Sequence, residues 1–347
     1  MTQASALFAQ GQEYRNTGQY GKAHQCFVEA AKVLHDFNDH VEKILLINAI
    51  AESFNSFGHH ENAIEYAIQA LQHYQRHVDI MDKCHLAQAL NIAAMAIGAM
   101  GYAKEAIGFS AQSLELYEAA YGEVHLDTAL LLNNIGFAYA DLKDADNALS
   151  YYNRSLTIRR QLDDAQGIAQ CINNLGMVAL MQGVYDESLQ YLQDAYELRK
   201  STFSTIHPDI SISLNNLGIL ALKQKNYEQA LQYFNEALEM RQQLYSTTVQ
   251  PSVTRTQYYY AVCLCHLRRN VNEAIKLIQQ VLAYRNKTYY PGHPEIKQIL
   301  DGMKTLVQLE LLKESDIGIS HQKQNALPKL AELALIKQLQ EAIDKAT

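Results

Sequence analysis

Residues 207–245 read HPDISISLNNLGILALKQKNYEQALQYFNEALEMRQQLY, and they contain two stretches of helical periodicity. Apolar residues at three- and four-residue spacings predict one helix from Ile212 to Leu222 and a second from Tyr227 to Leu238. The polar break between them, 223–226, is short enough for a turn, so the stretch predicts a helical hairpin. One hairpin cannot bury both of its faces, and we expect it to stack on copies of itself.

The copies are visible when the chain is aligned on the small residue early in each second helix, which we call the anchor. The anchors are Ala23, Ala63, Ala106, Ala148, Ser188, Ala230 and Ala274. Other slots recur around them: a glycine in the first helix (Gly11, Gly136, Gly176, Gly218), a glycine at the bend (Gly18, Gly58, Gly101, Gly183), an aromatic residue (Phe27, Tyr152, Phe234) and an alanine (Ala30, Ala70, Ala195, Ala237). Repeats two and three differ, with Ala51 and Ala94 in the first glycine slot.

Successive anchors are 40–44 residues apart. HEAT and armadillo repeats have a similar period, so the pattern within the repeat has to decide between these families. The spacing Gly…Gly-x-Tyr-x-x-Ala-x-x-x-Phe-x-x-Ala resembles the tetratricopeptide repeat, lengthened by about two turns of helix. The sequence resembles the long repeats of kinesin light chain in several motifs. They are LLNNIG at 131–136, INNLG at 172–176, SLNNLG at 213–218, and the turns His207-Pro208 and His293-Pro294. The resemblance covers roughly residues 4–312.

The resemblance implies an all-α fold, a right-handed α-solenoid of about seven hairpins. We expect the repeat domain to occupy residues 1–312, a polar linker residues 313–325, and a last helix residues 326–347. The apolar stripe of that helix needs a surface to cover. We expect it to cap the end of the repeat stack. The alternative is that it folds into the groove or onto a partner.

Composition excludes several classes of function. The net charge is −8 without a basic block, so we expect neither nucleic-acid binding nor membrane binding. The five cysteines are scattered through predicted helices, which is typical of buried residues in a reducing compartment. No signal-peptide pattern and no membrane-length apolar run is present, and we expect a cytoplasmic protein.

Motifs of catalysis are also missing: there is no Walker loop, no Gly-x-Ser-x-Gly and no His-Glu-x-x-His. We therefore expect no enzyme activity and no cofactor. His59-His60 lacks ligands at metal spacing, and the side chains of Cys263 and Cys265 diverge on a helix, so we expect no metal site and a solvated His59-His60 pair. Acids in turns are interpreted as helix caps, namely Asp144, Asp146, Asp163 and Asp164.

Asparagines supply the candidate site, because the first helices of such repeats line a concave groove. One asparagine recurs fifteen residues before five anchors, at Asn48, Asn91, Asn133, Asn173 and Asn215, and a second follows it at Asn134, Asn174 and Asn216. A carboxamide both donates and accepts, so it can pair with the backbone of an extended peptide. The alternative is that one asparagine of each pair bonds the neighbouring helix and holds the stack.

Apolar residues one turn further along the same face extend this candidate groove. They are Met95, Phe137, Met177, Ile219 and Cys263, and they either face a ligand or pack between repeats. Tyr259, within Tyr258–Tyr260, is either an aromatic wall of the groove or a core residue. Four arginines recur at the ends of second helices, namely Arg159, Arg199, Arg241 and Arg285. We interpret them as charges that complement the helix dipole. The alternative is a site for a phosphate or an acidic peptide.

The sequence thus predicts a scaffold or adaptor that holds a partner protein or peptide in the concave groove, and it does not specify an oligomeric state. A regulatory receptor that tightens on a signalling peptide is the first alternative. A modulator of a partner enzyme is the second, although the chain opens directly with a repeat. A secreted pathogen protein that captures host factors is the third.

Overall fold

The structure is a computed structural model that describes residues 3–16, 19–34, 39–203, 206–245, 251–288, 294–308, 336–342 and 344. All regular secondary structure in these ranges is helical, and none of their residues lies in a strand. The predicted all-α class and its series of helical hairpins are confirmed.

Helices alternate between the first and the second position of a repeat. The first helices are α1 (Gln3–Asn16), α3 (His40–Ser56), α5 (Lys83–Ala99), α7 (Leu126–Asp141), α9 (Ala165–Gln182), α11 (Pro208–Lys223) and α13 (Pro251–His266). The second helices are α2 (Tyr20–Lys32), α4 (His60–Arg76), α6 (Ala103–Tyr121), α8 (Ala145–Gln161), α10 (Tyr185–Thr202), α12 (Tyr227–Tyr245) and α14 (Val271–Thr288). A further helix, α15, spans Pro294–Gln308.

The chain divides into two compact units, one of Met1–Val178 with Ala331–Thr347 and one of Ala179–Leu330. In the N-terminal unit each first helix from α1 to α7 packs on its own second helix, and α3, α5 and α7 also pack on one another in succession. In the C-terminal unit α11 packs on α12 and α13 on α14. The core therefore runs through successive hairpins of each unit, as the need to bury both faces of a hairpin requires.

The bend inside five of the described hairpins is a residue with left-handed backbone. Gly58, Gly101 and Gly183 have φ of 80°, 93° and 80°, and glycine adopts this region without steric cost. Lys143 and Lys225 hold the equivalent position in two other hairpins, with φ of 60° and 62°. The predicted bend is thus confirmed in these five hairpins, with lysine as an unexpected occupant in two of them. Gly18 lies outside the described residues.

Side-chain caps begin several helices. Asp39, Asp82 and Asp144 each accept a hydrogen bond from a backbone N–H in the first turn that follows, and Asp164 accepts one from Gly167 N. His207 caps α11 through Asp209 N, and Pro208 follows at the first helical position. The cap assignments for Asp144 and Asp164 are confirmed, whereas His293 lies outside the described residues.

A glycine and an aromatic ring hold the two helices of three hairpins close together. A Cβ placed on Gly11, Gly136 or Gly218 would lie 2.7, 2.8 or 2.6 Å from the ring of Phe27, Tyr152 or Phe234. Repeats two and three carry alanine instead of this glycine, and there the aromatic slot holds a smaller residue. Those pairs are Ala51 with Ala67 and Ala94 with Ser110. In these five hairpins the residue on the first helix is therefore smallest, a glycine, where the facing side chain on the second helix is largest, an aromatic ring.

The C-terminal predictions fall mostly outside the described residues. The polar linker 313–325 lies there entirely. Within the predicted last helix, residues 336–342 and 344 are helical, Leu339 is fully buried and Ala342 is nearly so. This segment is grouped with the N-terminal unit. Its role as a cap stays a prediction.

We expect Gly218→Ala to destabilise the protein, because the added methyl group overlaps the Phe234 ring. Overpacking of a core costs about 1–3 kcal/mol, more than the gain of about 1 kcal/mol in helix propensity. Gly108→Ala is the matched control, since nothing lies within 4 Å of its Cβ position in α6. Chemical denaturation should show a loss for the first variant and a gain for the second, and Phe234→Leu should reduce the loss. Equal gains for both glycine variants would contradict the steric explanation.

Candidate functional site

The first asparagine of each predicted pair is buried. Asn48, Asn91, Asn133, Asn173 and Asn215 all have little or no solvent exposure, as does Asn216 of the second set. Asn134 and Asn174 are partly exposed. Asn134 and Asn174 therefore have better access to a ligand than the asparagines that precede them in the sequence.

A hydrogen bond links the second asparagine of one repeat to the first asparagine of the repeat before it. Asn134 Nδ2 donates to Asn91 Oδ1 over 2.9 Å, which joins α7 to α5. Asn174 Nδ2 donates to Asn133 Oδ1, also over 2.9 Å, and joins α9 to α7. The structure thus contains the contact between neighbouring helices that the sequence left open as an alternative to ligand binding.

Buried asparagines without an asparagine partner in the next repeat also form hydrogen bonds to that repeat. Asn48 Nδ2 donates to Gln88 Oε1 over 3.1 Å, and Asn215 Oδ1 accepts from Thr256 Oγ1 over 2.7 Å. Both partners lie on the next first helix. A buried amide that is hydrogen-bonded avoids the desolvation cost of an unpaired polar group, which is about 1–3 kcal/mol. The asparagine slot therefore connects successive first helices.

The apolar slot one turn further on differs between the units. Met95 and Phe137 are 43% and 53% exposed, and Met177 is partly exposed. In the C-terminal unit Ile219 is 9% exposed and Cys263 is fully buried. Asn134, Asn174, Met95, Phe137 and Met177 thus form one partly exposed surface of the N-terminal unit, which we call the first-helix face.

Tyr259 lies in the C-terminal unit among core residues. Its ring is stacked on Phe234 with centroids 5.7 Å apart, and its hydroxyl accepts a hydrogen bond from Gln298 over 2.9 Å. Its neighbour Tyr258 is buried in the core between α13 and α15. The predicted ligand contact of Tyr259 stays a prediction.

The four arginines at the ends of second helices are buried. Their interpretation as charges that complement the helix dipole stays a prediction. Arg199 donates to Asp209 O and Ser213 Oγ at the start of α11. Arg241 donates to Ser252 O and Thr256 Oγ1 of α13. The guanidinium groups of Arg199 and Arg241 therefore tie the end of a second helix to the following first helix, and burial lowers the pKa of Arg199.

Arg159 makes this contact through an ion pair. Its Nη1 lies 2.9 Å from Asp164 Oδ2, while Asp164 Oδ1 accepts from Gly167 N at the start of α9. A Cβ at Gly167 would overlap the Arg159 and Asp164 side chains in this arrangement, so the ion pair favours glycine at that position. In repeats two and three Tyr74 and Tyr117 occupy the arginine slot and are buried.

Histidines are concentrated in the first two hairpins. His60 is buried and its Nδ1 lies 2.7 Å from Asn55 Oδ1, so the expectation that His59-His60 is solvated is wrong for His60 and right for the exposed His59. His24 stacks on Phe57 with centroids 4.2 Å apart, and its Nδ1 lies 2.9 Å from Ser53 Oγ. Burial, with a smaller contribution from His59, lowers the pKa of His24 to about 4.

A cavity of about 350 Å³ lies in the C-terminal unit between α10, α11 and α12. Apolar side chains and charged side chains share its lining, which consists of Tyr196, Lys200, Ile206, Ile210, Leu214, Glu236, Glu239, Met240 and Gln243. It contains none of the predicted site residues. None of the helices in the described ranges combines the length and apolar character needed to span a membrane.

Comparison with known proteins identifies the repeat. Family models of the tetratricopeptide repeat match residues 85–161 and 167–243, residues 215–291, and residues 4–33. These matches together span more than half of the chain, as the spacing of the anchors predicted. A search of curated proteins found no match.

Solved structures share the fold at low sequence identity. A Rap protein complexed with Competence and Sporulation Factor is 15% identical, with 98% of this chain and 99% of that chain covered and a TM-score of 0.58. The apo form of the quorum sensor NprR from B. thuringiensis is 16% identical, with 96% and 90% covered and a TM-score of 0.52. TPR-like repeats of Podosopora anserina described as kinesin light chain are 16% identical, with 60% and 99% covered and a TM-score of 0.42.

We expect Asp164→Asn to destabilise the protein by roughly 1–3 kcal/mol, because Arg159 would lose its ionic partner while Gly167 N keeps a capping acceptor. Asp164→Ala should cost about 1 kcal/mol more, since it also removes the cap. Asp163→Asn, at the exposed neighbouring residue, is the control and should cost little. Urea unfolding of the three variants measures these differences. If the two asparagine variants are equally stable, the ion pair contributes nothing.

We also expect stability to fall as the pH drops from about 6.5 towards 4, because unfolded His24 binds a proton in this range and folded His24 does not. Above about pH 6.5 His24 is neutral in both states and contributes no pH dependence. His24→Phe keeps the ring stacked on Phe57 and should lose less stability between pH 7 and pH 5 than the wild type. Denaturation curves at both pH values test this. An equal loss in both proteins would remove His24 as the cause.

Proposed function

Because this chain belongs to the tetratricopeptide repeat family, we propose that it is a scaffold that binds an extended segment of a partner protein on the first-helix face. The exposure of Met95 and Phe137 carries this proposal. They hold one slot in adjacent repeats and remain exposed, whereas the residues of that slot in the C-terminal unit are buried.

Apolar side chains of a ligand suit this surface. Single exposed apolar residues are common on proteins. Here two of them are presented by adjacent first helices that pack on each other, and Met177 follows on the next first helix. Methionine and phenylalanine adapt to apolar partners of varied shape. The proposed ligand therefore places apolar side chains along the row of first helices.

Asn134 adds a hydrogen-bonding group of fixed orientation. Its Nδ2 is held by Asn91, and among the described residues nothing donates to its Oδ1. This oxygen is available to a ligand backbone N–H, and such a bond contributes about 0.5–1.5 kcal/mol. Because Asn91 already fixes the amide, little side-chain freedom is lost on binding.

The buried asparagines have an indirect role in the proposed binding. Asn91 and Asn133 orient Asn134 and Asn174, which are the more exposed members of each pair. Direct ligand contact by Asn91, Asn133, Asn173, Asn215 and Asn216 stays a prediction, as does contact by Ile219. Their burial makes the exposed asparagines the better-placed candidates.

A regulatory receptor for a signalling molecule is the alternative. The structures of similar fold include a Rap protein complexed with Competence and Sporulation Factor and the quorum sensor NprR. At identities of 15% and 16% this likeness concerns the fold alone. A receptor would change its dimensions when a ligand binds, whereas a scaffold would not, so small-angle scattering with a selected peptide separates the two functions. Under either function we propose a cytoplasmic location and no catalytic activity.

The test is a peptide-display selection with the wild type, followed by affinity measurement for the enriched peptides. We expect Phe137→Ser to weaken binding by about tenfold, through loss of roughly 1.4 kcal/mol of apolar contact, and Asn134→Ala to weaken it less. Tyr121→Ser is the matched control, because Tyr121 is an exposed aromatic residue on a second helix.

If folded Phe137→Ser and Met95→Ser variants keep the wild-type affinity, the first-helix face is not the binding surface. If Tyr121→Ser weakens binding as much as Phe137→Ser, the surface lies elsewhere on the N-terminal unit or extends well beyond the first helices.

A further inference from the structure

Three histidines meet at the open end of the second hairpin. His40 begins α3, while His73 lies in the last turn of α4 and His77 caps that helix. One ring nitrogen from each lies within 4.8 Å of the other two. The rings of His40 and His77 are stacked with centroids 3.7 Å apart, and His73 and His77 are 4.7 Å apart. The cluster is separate from the first-helix face.

A hydrogen bond sets the protonation of the His73 ring. His73 Nε2 lies 3.1 Å from the carbonyl oxygen of His40, which only accepts, so Nε2 carries the hydrogen. The lone pair of the neutral ring is then on Nδ1. A histidine whose second nitrogen is bonded to a backbone carbonyl is the usual arrangement of a metal ligand.

His40 supplies a second, independent observation. Its Nδ1 is buried and has no hydrogen-bond partner among the described residues. A buried polar atom without a partner is unfavourable by about 1–3 kcal/mol. Coordination of a cation through this nitrogen would relieve that cost.

Two charged side chains near the cluster bear on its affinity for a metal ion. Neutral imidazole is the form that binds metals. Lys43 and Arg76 are the nearby cations, and their repulsion limits affinity for a divalent ion.

We propose that His40, His73 and His77 bind a Zn²⁺-class divalent transition-metal ion, with water in a fourth position. Three imidazoles with one open position form a recognised zinc site, and imidazole also suits Ni²⁺ and Cu²⁺. Nitrogens that share a tetrahedral zinc ion at about 2.0–2.1 Å are about 3.4 Å apart. Binding therefore requires the stacked rings of His40 and His77 to rotate so that their nitrogens converge on the ion.

The bound ion would join the two ends of one hairpin. His40 is at the start of α3 and His77 at the end of α4, 37 positions later in the sequence. The ion would therefore stabilise the second hairpin, by an amount that grows with metal concentration above the dissociation constant.

The experiment uses the full chain without a polyhistidine tag, after treatment with a chelator. Zn²⁺ is titrated calorimetrically, and Co²⁺ is added separately so that its visible absorption reports the coordination geometry. We expect one ion per chain with about micromolar affinity and a rise in melting temperature with Zn²⁺. His77→Ala should weaken binding at least about tenfold, while His59→Ala, at an exposed histidine outside the cluster, should not change it.

Two results would overturn the proposal. One is that the wild type binds neither ion, and the other is that His77→Ala binds as tightly as the wild type. His40→Gln is the second variant, in case His77→Ala does not fold, and it should lose the same binding. Circular dichroism and the metal-free melting temperature establish that each variant is folded.

Discussion

A polar group buried between hairpins is costly unless it finds a partner in the same or the next hairpin, and this constraint orders the repeat stack. An unpaired buried amide or guanidinium would cost about 1–3 kcal/mol or more, a large part of the stability of a protein domain. Apolar contacts between helices tolerate small displacements. The bonds from Asn134 to Asn91 and from Arg199 to Ser213 do not, because a shift of one residue would break both. Polar contacts of this kind therefore fix the register in which hairpins pack.

The fold could be predicted from the sequence because its determinants are local and repeated. Glycine occurs in the first helix where an aromatic residue follows in the second, and alanine replaces it where that residue is small, as with Ala51 and Ala67. This correlation can be read within one chain. The left-handed backbone of Lys143 and Lys225 is not indicated by their residue type, because lysine has no preference for that conformation. Only their alignment with the bend glycines of other repeats indicates it.

The site was harder to predict because helical periodicity identifies a face and not a distance. Asn133 and Asn134 lie only about 100° apart around α7, so both are near the same boundary between helices. Which one is buried depends on how closely α9 approaches, and that is decided by tertiary packing. For the arginines, the sequence did contain a signal that they make specific contacts. A cation that only complements the helix dipole needs no fixed slot, whereas Arg159, Arg199, Arg241 and Arg285 recur at one slot.

The histidine cluster and the first-helix face lie on different helices that are in contact. His73-x-x-x-His77 is visible in the sequence, but His40 comes from the other end of the hairpin and only folding brings it to the pair. Both helices of that hairpin pack on α5, which carries Met95 and Asn91. An ion that steadies α3 and α4 would thereby also restrict α5. If metal binding and ligand binding are coupled through α5, each must change the affinity of the other by the same factor, because the coupling free energy is shared.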